Sequence, residues 1–184
     1  MKEQKITYID TETTGLNADK NQILTIGYLF ENDGKVLDEG TLRIKQMPHA
    51  RVHPKALDTH GISLEAHNEI AKPEKDILTK FNKIIRDHNF SDSVISGHNV
   101  SFDREFINKA YDRRDMEWLL KGNDVADTYK IAGDLKSKQK LDAPSLSLEN
   151  LAKKYNFDTD FHSALADAKA TRHVHKELKE MKNE

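Results

Sequence analysis

The chain has 184 residues, 36% of them hydrophobic and 33% charged, which suits one globular domain with a continuous hydrophobic core. It contains no cysteine, so disulfides and thiolate metal sites are excluded. Any metal would need oxygen or imidazole ligands, which favours magnesium or manganese over structural zinc. The formal net charge of −2 argues against a protein that coats DNA, because such proteins carry an excess of basic residues.

The ends and apolar segments of the chain indicate where the protein resides. The charged start lacks the apolar stretch of a signal peptide, and the longest apolar-rich segment, residues 23–30, is too short to span a bilayer. We therefore expect a cytoplasmic protein with no membrane partner. No internal repeat or linker interrupts the sequence, so residues 1–184 are predicted to form a single domain.

The first part of the chain predicts a three-stranded meander. Residues 5–10 alternate in polarity, and residues 23–31 form an apolar, β-branched stretch. Asp33-Gly34 then predicts a tight hairpin turn, after which residues 36–45 pair back as a third strand. Residues 46–61 are predicted to be loop with a short helical turn.

The rest of the chain alternates helices and strands, which is typical of an α/β protein with a mixed sheet covered by helices. Pro73 suits the first turn of a helix, which has an apolar stripe at helical spacing. Short strands are predicted at residues 94–96 and 124–127. The other predicted segments are, in chain order, a helix over 101–116, a helix from Thr128, a polar lysine-rich loop over 136–140, a short helix around 148–155 and a last helix over 163–181.

The first group of candidate site residues lies at the end of the first strand, in Asp10-Thr11-Glu12-Thr13-Thr14-Gly15. If the strand continues, Asp10 and Glu12 project to the same face, about 7 Å apart. Such carboxylates repel each other and lose hydration on a partly apolar face, and a divalent cation such as Mg²⁺ would remove both penalties. The alternative is that the strand has ended and both carboxylates are solvated turn residues.

The second group surrounds Asp103, within residues 96–106. Asp103 shares a predicted helix with Ile107 and Ala110, four and seven residues later, so it lies near an apolar face. An inward carboxylate needs a partner, and a metal ion could provide one. Asp103 could equally cap the first helical turn, where acidic residues complement the helix dipole. Both interpretations stay open.

The third group, His162 and Asp167, lies at the start of the last helix. Asp167 is followed at helical spacing by Ala170, Thr171 and Val174, so we expect it to point inward. Histidine is the side chain that can accept a proton near neutral pH. The alternative is that His162, one of nine histidines, only caps or packs the helix start.

Considered together, the three groups favour a metal-dependent phosphodiester hydrolase. Four acidic residues on separate elements, Asp10, Glu12, Asp103 and Asp167, can share one cleft only if cations neutralise them. Two Mg²⁺ or Mn²⁺ ions about 4 Å apart are the usual arrangement for in-line attack on a phosphate. A nearby histidine, His162, would take the proton from the attacking water.

These motifs, in this order, resemble the DEDD exonuclease superfamily, and specifically its histidine (DnaQ-like) subclass, which includes the proofreading ε subunit of bacterial DNA polymerase III. The first family motif matches residues 10–15, the second matches residues 98–103, and the third matches His162 and Asp167. The tyrosine subclass would need a tyrosine in place of Ser163. The likeness covers about residues 5–178, through the further segments Val52-His53-Pro54, His60-Gly61-Ile62, Asp127-Thr128 and 147–151.

The resemblance implies a ribonuclease H-like fold, with a mixed five-stranded sheet flanked by helices. It implies that Asp10, Glu12 and Asp167 ligate a first metal, that Asp10 also reaches a second, and that Asp103 acts directly or through water. The implied general base is His162. The implied substrate contacts are Thr13, Leu16 and Phe102, which would wedge or cradle the terminal base and sugar, together with His60 and Asn99.

The activity implied is that of a 3′-to-5′ exonuclease, which releases nucleoside 5′-monophosphates from nucleic-acid 3′ ends, with single-stranded DNA expected before RNA. Two alternatives stay open: an exoribonuclease that trims RNA 3′ ends, and a non-catalytic nucleic-acid-binding module with the same fold. The ε subunit continues past this domain into a polymerase-binding tail, whereas this sequence ends at Glu184. Association with a DNA polymerase therefore also stays open.

Overall fold

The computed structural model describes residues 4–183, which are built around a mixed five-stranded sheet. The strands are β1 (Lys5–Thr13), β2 (Ile23–Asn32), β3 (Lys35–Arg43), β4 (Val94–Gly97) and β5 (Val125–Asp127). Their order across the sheet is β3-β2-β1-β4-β5. The first three strands are antiparallel neighbours, whereas β4 pairs in parallel with β1 and with β5. The carboxyl ends of β1, β4 and β5 therefore meet at one edge of the sheet.

Helices cover both faces of this sheet, as the sequence predicts. They are α1 (Pro54–His60), α2 (Leu64–Ile70), α3 (Glu74–Asp87), α4 (Ser101–Asp112), α5 (Thr128–Ser137), α6 (Leu148–Lys154) and α7 (Ala164–Asn183). The apolar side chains of α3 and α4 share one core with Ile9, Ile26 and Phe30 of the sheet. On the other face, α7 packs its Ala168 against Ile6 and Tyr8, while α5 and α6 pack against α7.

Strand β1 continues beyond Asp10, so the interpretation of Asp10 and Glu12 as solvated turn residues is wrong. Asp10 pairs with Gly27 of β2, and Glu12 pairs with Thr25. A bulge in this pairing follows Glu12 and precedes Thr13, where the strand ends. Both carboxylates therefore belong to the strand face that α7 covers.

Two predicted segment boundaries are wrong. Helix α4 ends at Asp112 rather than at residue 116, and α5 continues to Ser137, into the predicted loop 136–140. The short helical turn predicted within 46–61 is present but longer than expected, because residues 54–60 form the seven-residue helix α1. The errors in α4 and α5 share a cause. These helices stop before Asp115 and Gln139, which adopt left-handed backbone conformations with φ of 52° and 58°, and glycine normally marks such positions in a sequence.

None of the helices within residues 4–183 combines the length and the apolar character needed to cross a bilayer.

Candidate active site

Three carboxylates converge at the carboxyl end of β1. Asp10 and Glu12 extend from β1 and Asp167 from the first turn of α7, and one carboxylate oxygen of each lies within 4.8 Å of the others. All three residues are half-buried. The close approach of α7 depends on Gly27, because a Cβ there would lie 2.2 Å from the backbone carbonyl of Ala164. Gly27 therefore lets α7 bring Asp167 beside Asp10.

The three carboxylates lie where negative charge is poorly tolerated. Burial raises the pKa of Asp10 well above its ordinary value, and Asp103, Asp167 and Glu12 raise it further. Burial, followed by the charges of Asp167 and Asp103, raises the pKa of Glu12 to about 8. The pKa of Asp167 is raised to about 6 by burial, although the backbone N–H of His162 opposes the shift.

The cluster fits a divalent cation. Its donors are all carboxylate oxygens, the ligands that Mg²⁺ and Mn²⁺ prefer. Within the described part of the chain, the buried Oδ1 atom of Asp167 has no hydrogen-bond partner. A cation would coordinate that oxygen and would offset the mutual repulsion of the three negative charges. Without a cation, only protonation of the carboxylates can reduce this repulsion.

Asp103 reaches the site from the opposite face of the sheet, on α4. It is buried, and its Oδ1 accepts a hydrogen bond of 2.7 Å from the hydroxyl of Thr11. Burial raises the pKa of Asp103 to about 7, and the hydrogen bonds from Thr11 oppose that shift. Asp103 lies outside the three-carboxylate group but close enough to raise the pKa of Asp10. Sequence reasoning missed Thr11, whose only signal was its position on the opposite strand face from Asp10.

His162 lies just before α7, next to Asp167 of the cluster. It is exposed, and its backbone adopts φ of 69°, which turns its N–H toward Oδ2 of Asp167 at 3.3 Å. Among the described residues, no side chain or carbonyl forms a hydrogen bond with the His162 ring. The backbone of His162 therefore helps to hold Asp167, and its imidazole remains available to a ligand.

The residues expected to bind substrate divide into two groups. Thr13 and Leu16 lie at the end of β1; the Leu16 side chain is 86% exposed, and the Thr13 hydroxyl donates to the carbonyl of Gly15 at 2.7 Å. Asn99 and Phe102 lie where β4 leads into α4; Asn99 is exposed with φ of 63°, and Phe102 packs half-buried against Phe106. Both groups are at the same edge of the sheet as the carboxylates.

His60 has both ring nitrogens engaged within the protein. Nδ1 accepts the backbone N–H of Ile62 at 3.1 Å, which leaves Nε2–H to donate to the carbonyl of Thr13 at 3.2 Å. Burial lowers the pKa of His60, consistent with this neutral form. In this structure His60 fastens the end of α1 to the end of β1, and neither ring nitrogen is free for a further hydrogen bond.

Asp127 and Thr128 also support the site, although sequence reasoning assigned them no role. Oδ1 of Asp127 accepts the backbone N–H of Asn99 at 3.0 Å and caps α5 through Tyr129. The Thr128 hydroxyl donates to the carbonyl of Gly97 at 3.2 Å, so it accepts from Nδ1 of His98 at 2.9 Å. The start of α5 thus holds the turn that precedes Asp103. An Asp-Thr pair between a short strand and a helix was the available signal.

Comparison with known proteins agrees with this geometry. The sequence model of the exonuclease family (RNase T) matches residues 7–174. The chain is 31% identical over 163 residues to a PolC-type DNA polymerase III of Latilactobacillus sakei and 29% identical over 175 residues to that of Pediococcus pentosaceus. These matches cover 88% and 95% of this chain but only 10% and 11% of the relatives, so the chain spans about a tenth of their length.

Solved structures of Escherichia coli exonuclease I share the fold. Its complex with a dT13 oligonucleotide superposes with a TM-score of 0.83 at 19% identity, covering 98% of this chain and 42% of that one. Its zinc-bound complex with single-stranded DNA gives a TM-score of 0.80 at 18% identity, with the same coverage. The ribonuclease H-like fold implied by the sequence resemblance is therefore confirmed.

Proposed function

The chain belongs to the exonuclease family, and on that premise we propose that it releases nucleoside 5′-monophosphates from the 3′ ends of single-stranded DNA. The observation that carries the proposal is the convergence of Asp10, Glu12 and Asp167 within 4.8 Å at the edge of the sheet. Half-buried carboxylates with raised pKa values and a nearby unengaged imidazole are suited to phosphodiester hydrolysis.

In this proposal the four carboxylates hold two Mg²⁺ or Mn²⁺ ions, with Asp10, Glu12 and Asp167 on the first and Asp103 acting directly or through water. The ions would supply a water of lowered pKa and charge to offset the leaving 3′-oxygen. His162 would accept the proton of the attacking water at its free ring nitrogen. Leu16, Thr13 and Phe102 would hold the terminal base and sugar, since stacking on apolar side chains tolerates any base.

Two kinds of similar protein support DNA as the substrate. Exonuclease I of E. coli has been solved with single-stranded DNA, and the PolC-type relatives are DNA polymerases. The net charge of −2 also fits a protein that holds a strand end in a local cleft rather than along an extended duplex face.

The experiment is a cleavage assay on 5′-labelled single-stranded DNA, the corresponding duplex and RNA of the same sequence, in EDTA and in Mn²⁺. We expect a ladder of single-nucleotide steps from the 3′ end in Mn²⁺ only, fastest on single-stranded DNA. A circular single strand, which has no 3′ end, should resist, and Asp10→Asn should be inactive, which excludes a contaminating nuclease. Faster cutting of RNA would instead indicate an exoribonuclease, and binding without cleavage would indicate a binding module.

A further inference from the structure

An open pocket lies beside the carboxylate cluster, between the turn after β1 and helix α1. Its volume is about 350 Å³, and its lining includes Leu16, Asn21, His53, Lys55 and Ala56. None of the four candidate metal ligands lines it. Leu16, which is 86% exposed, lines this pocket three residues after the end of β1, so the pocket adjoins the end of the strand that carries Asp10 and Glu12.

Backbone hydrogen bonds fix one wall of this pocket. The carbonyl of Arg51 accepts from the Thr14 hydroxyl at 2.7 Å and from the Asn21 amide at 2.8 Å. The N–H of His53 donates to the carbonyl of Thr14 at 2.7 Å. These contacts hold residues 51–53 against the turn, and the side chains of Arg51, His53 and Lys55, which we call the basic ledge, are all exposed.

No acid forms an ion pair with the basic ledge in the described part of the chain, although the exposed Asp58 lies three residues after Lys55 on α1. Neither Arg51 nor Lys55 takes part in any of the ion pairs formed within residues 4–183. The acid of the adjacent turn, Asp19, is instead paired with Lys109 of α4 at 2.6 Å. By contrast, the segment leading to His162 exposes Asp158 and Asp160. A polyanion that reaches the cluster would therefore find cations without ion-pair partners on the ledge side and exposed acids on the side of His162.

We propose that the basic ledge binds the phosphodiester backbone of the substrate strand on the 5′ side of the cleaved bond. This inference rests on the proposed function, which places the 3′ end at the carboxylates and requires the rest of the strand to leave the site. Two unpaired cations beside a partly apolar pocket match a single strand, whose phosphates need positive charge and whose bases favour apolar contact. If the ledge binds these phosphates, the affinity of the protein for single-stranded DNA should increase with strand length and decrease with salt concentration.

The test uses the double variant Arg51→Gln/Lys55→Gln and the matched control Lys80→Gln/Arg86→Gln. The control also removes one lysine and one arginine, from exposed positions of α3. Binding of a 5′-fluorescent oligothymidylate of about 20 nucleotides is followed by anisotropy in EDTA over a range of salt concentrations. At low salt we expect the ledge variant to bind the oligonucleotide roughly ten-fold more weakly. The slope of log K against log salt concentration should become shallower by about 0.7 for each lost phosphate contact.

Cleavage in Mn²⁺ supplies the second measurement. The ledge variant should lose kcat/KM on the long oligonucleotide, while a substrate of about three nucleotides, too short to cross the ledge, should be cut at the wild-type rate. The proposal is overturned if the ledge variant matches the wild type on long strands, if the control loses as much, or if the wild-type protein does not bind the oligonucleotide in EDTA. Ledge-dependent binding without any cleavage would support the ledge and reject the proposed exonuclease activity, so the two failures are distinguishable.

Discussion

The two carboxylate oxygens of Asp167 are in different situations. Oδ2 accepts the backbone N–H of His162 at 3.3 Å, whereas the buried Oδ1 has no hydrogen-bond partner in the described part of the chain. The first contact needs only the backbone of His162, which is left-handed there. The imidazole is therefore not needed to hold Asp167, and its role can be tested separately from the position of the carboxylate.

We expect His162→Ala to lower kcat by roughly 10²–10⁴-fold, the usual consequence of losing a positioned proton acceptor. The melting temperature should change little, because the ring of His162 is exposed and the backbone contact to Asp167 survives. Steady-state kinetics and thermal melting on the same protein measure both effects.

His173→Ala provides the opposite pattern for comparison. The ring of His173 hydrogen-bonds the carbonyl of Tyr155 at 2.9 Å and stacks on Phe157 with centroids 4.9 Å apart. Its loss should lower the melting temperature and leave kcat unchanged. A fully active His162→Ala protein would contradict the assignment of His162 as the general base.

Local sequence patterns predict the positions of some site residues but not of others. Strand alternation predicts that Asp10 and Glu12 share a face, and helical spacing predicts that Asp167 points inward, because both patterns are local. The hydrogen bond from Thr11 to Asp103 joins β1 to α4 across 92 residues, so no local pattern contains it. The two hydrogen bonds of His60 similarly depend on where α1 meets β1.

At the scale of elements, the site depends on how closely α7 approaches β2. Asp10 pairs with Gly27, and the backbone of Ala164 and Leu165 lies over Gly27. Asp167 follows one helical turn later. The distance between a strand carboxylate and a helix carboxylate is thus set by a glycine that carries no functional group.

We expect Gly27→Ala to impair both stability and catalysis. Its Cβ would lie 2.2 Å from the carbonyl carbon of Ala164 and 2.5 Å from the backbone nitrogen of Leu165, so α7 or β2 must shift. Overpacking of this kind costs about 1–3 kcal/mol, and a displacement of about 1 Å at a reacting group can cost 10²-fold in rate. Melting temperature and kcat should therefore both fall.

Gly122→Ala is the matched control, because nothing lies within 4 Å of a Cβ at that position and its backbone is not left-handed. It should leave both quantities near wild type. A Gly27→Ala protein with normal melting and normal kcat would show that the approach of α7 tolerates a side chain and does not position Asp167.

Elements with a strong local signal were predicted well. The Asp33-Gly34 turn has φ of 47° and 82°, the left-handed pair that a tight hairpin needs, and it joins β2 to β3 as expected. The apolar stripe of α3 is buried as its spacing predicts.

The predicted end of α4 is wrong. The helix is followed by a left-handed Asp115 instead of a glycine, and Arg113 and Arg114 are paired to the buried Glu74. Those pairs join residues about 40 positions apart and leave no mark in the local sequence.

At the scale of the whole molecule, the strand order lies beyond local pattern. Alternating strands and helices predict a mixed sheet, but the parallel pairing of β4 with β1 brings together strands from different parts of the chain. The order β3-β2-β1-β4-β5 places β1 at the centre, so the site can receive side chains from both covering layers, Asp103 from α4 and Asp167 from α7. The family resemblance predicted a mixed five-stranded sheet flanked by helices, whereas this strand order comes from the structure alone.

This central cluster of acids links the stability of the whole molecule to pH and to metal. A carboxyl group whose pKa is raised by folding binds its proton more tightly in the folded state. Its stabilising contribution is complete below the unfolded pKa, about 4, and is lost as pH rises through the folded pKa. The folded pKa values are about 6 for Asp167, about 7 for Asp103 and about 8 for Glu12. Without metal, the cluster should therefore destabilise the protein progressively from about pH 4 to pH 8.

We expect the gain in melting temperature from saturating Mn²⁺, relative to EDTA, to increase between about pH 5 and pH 8, because the cation replaces protons that the cluster loses over this range. The gain is a better measure than either melting temperature alone. Burial lowers the pKa of His60, His98 and His175, which destabilises the fold as pH falls. Subtracting the melting temperature in EDTA from that in Mn²⁺ largely removes this opposing trend.

Asp10→Asn is the matched variant, because it removes one of the repelling charges. Its melting temperature in EDTA should fall less toward high pH, and its gain from Mn²⁺ should be smaller. Thermal melting of both proteins across this pH range is the measurement. A gain that stays constant with pH, or one that Asp10→Asn leaves intact, would show that Mn²⁺ stabilises the protein somewhere other than at the carboxylate cluster.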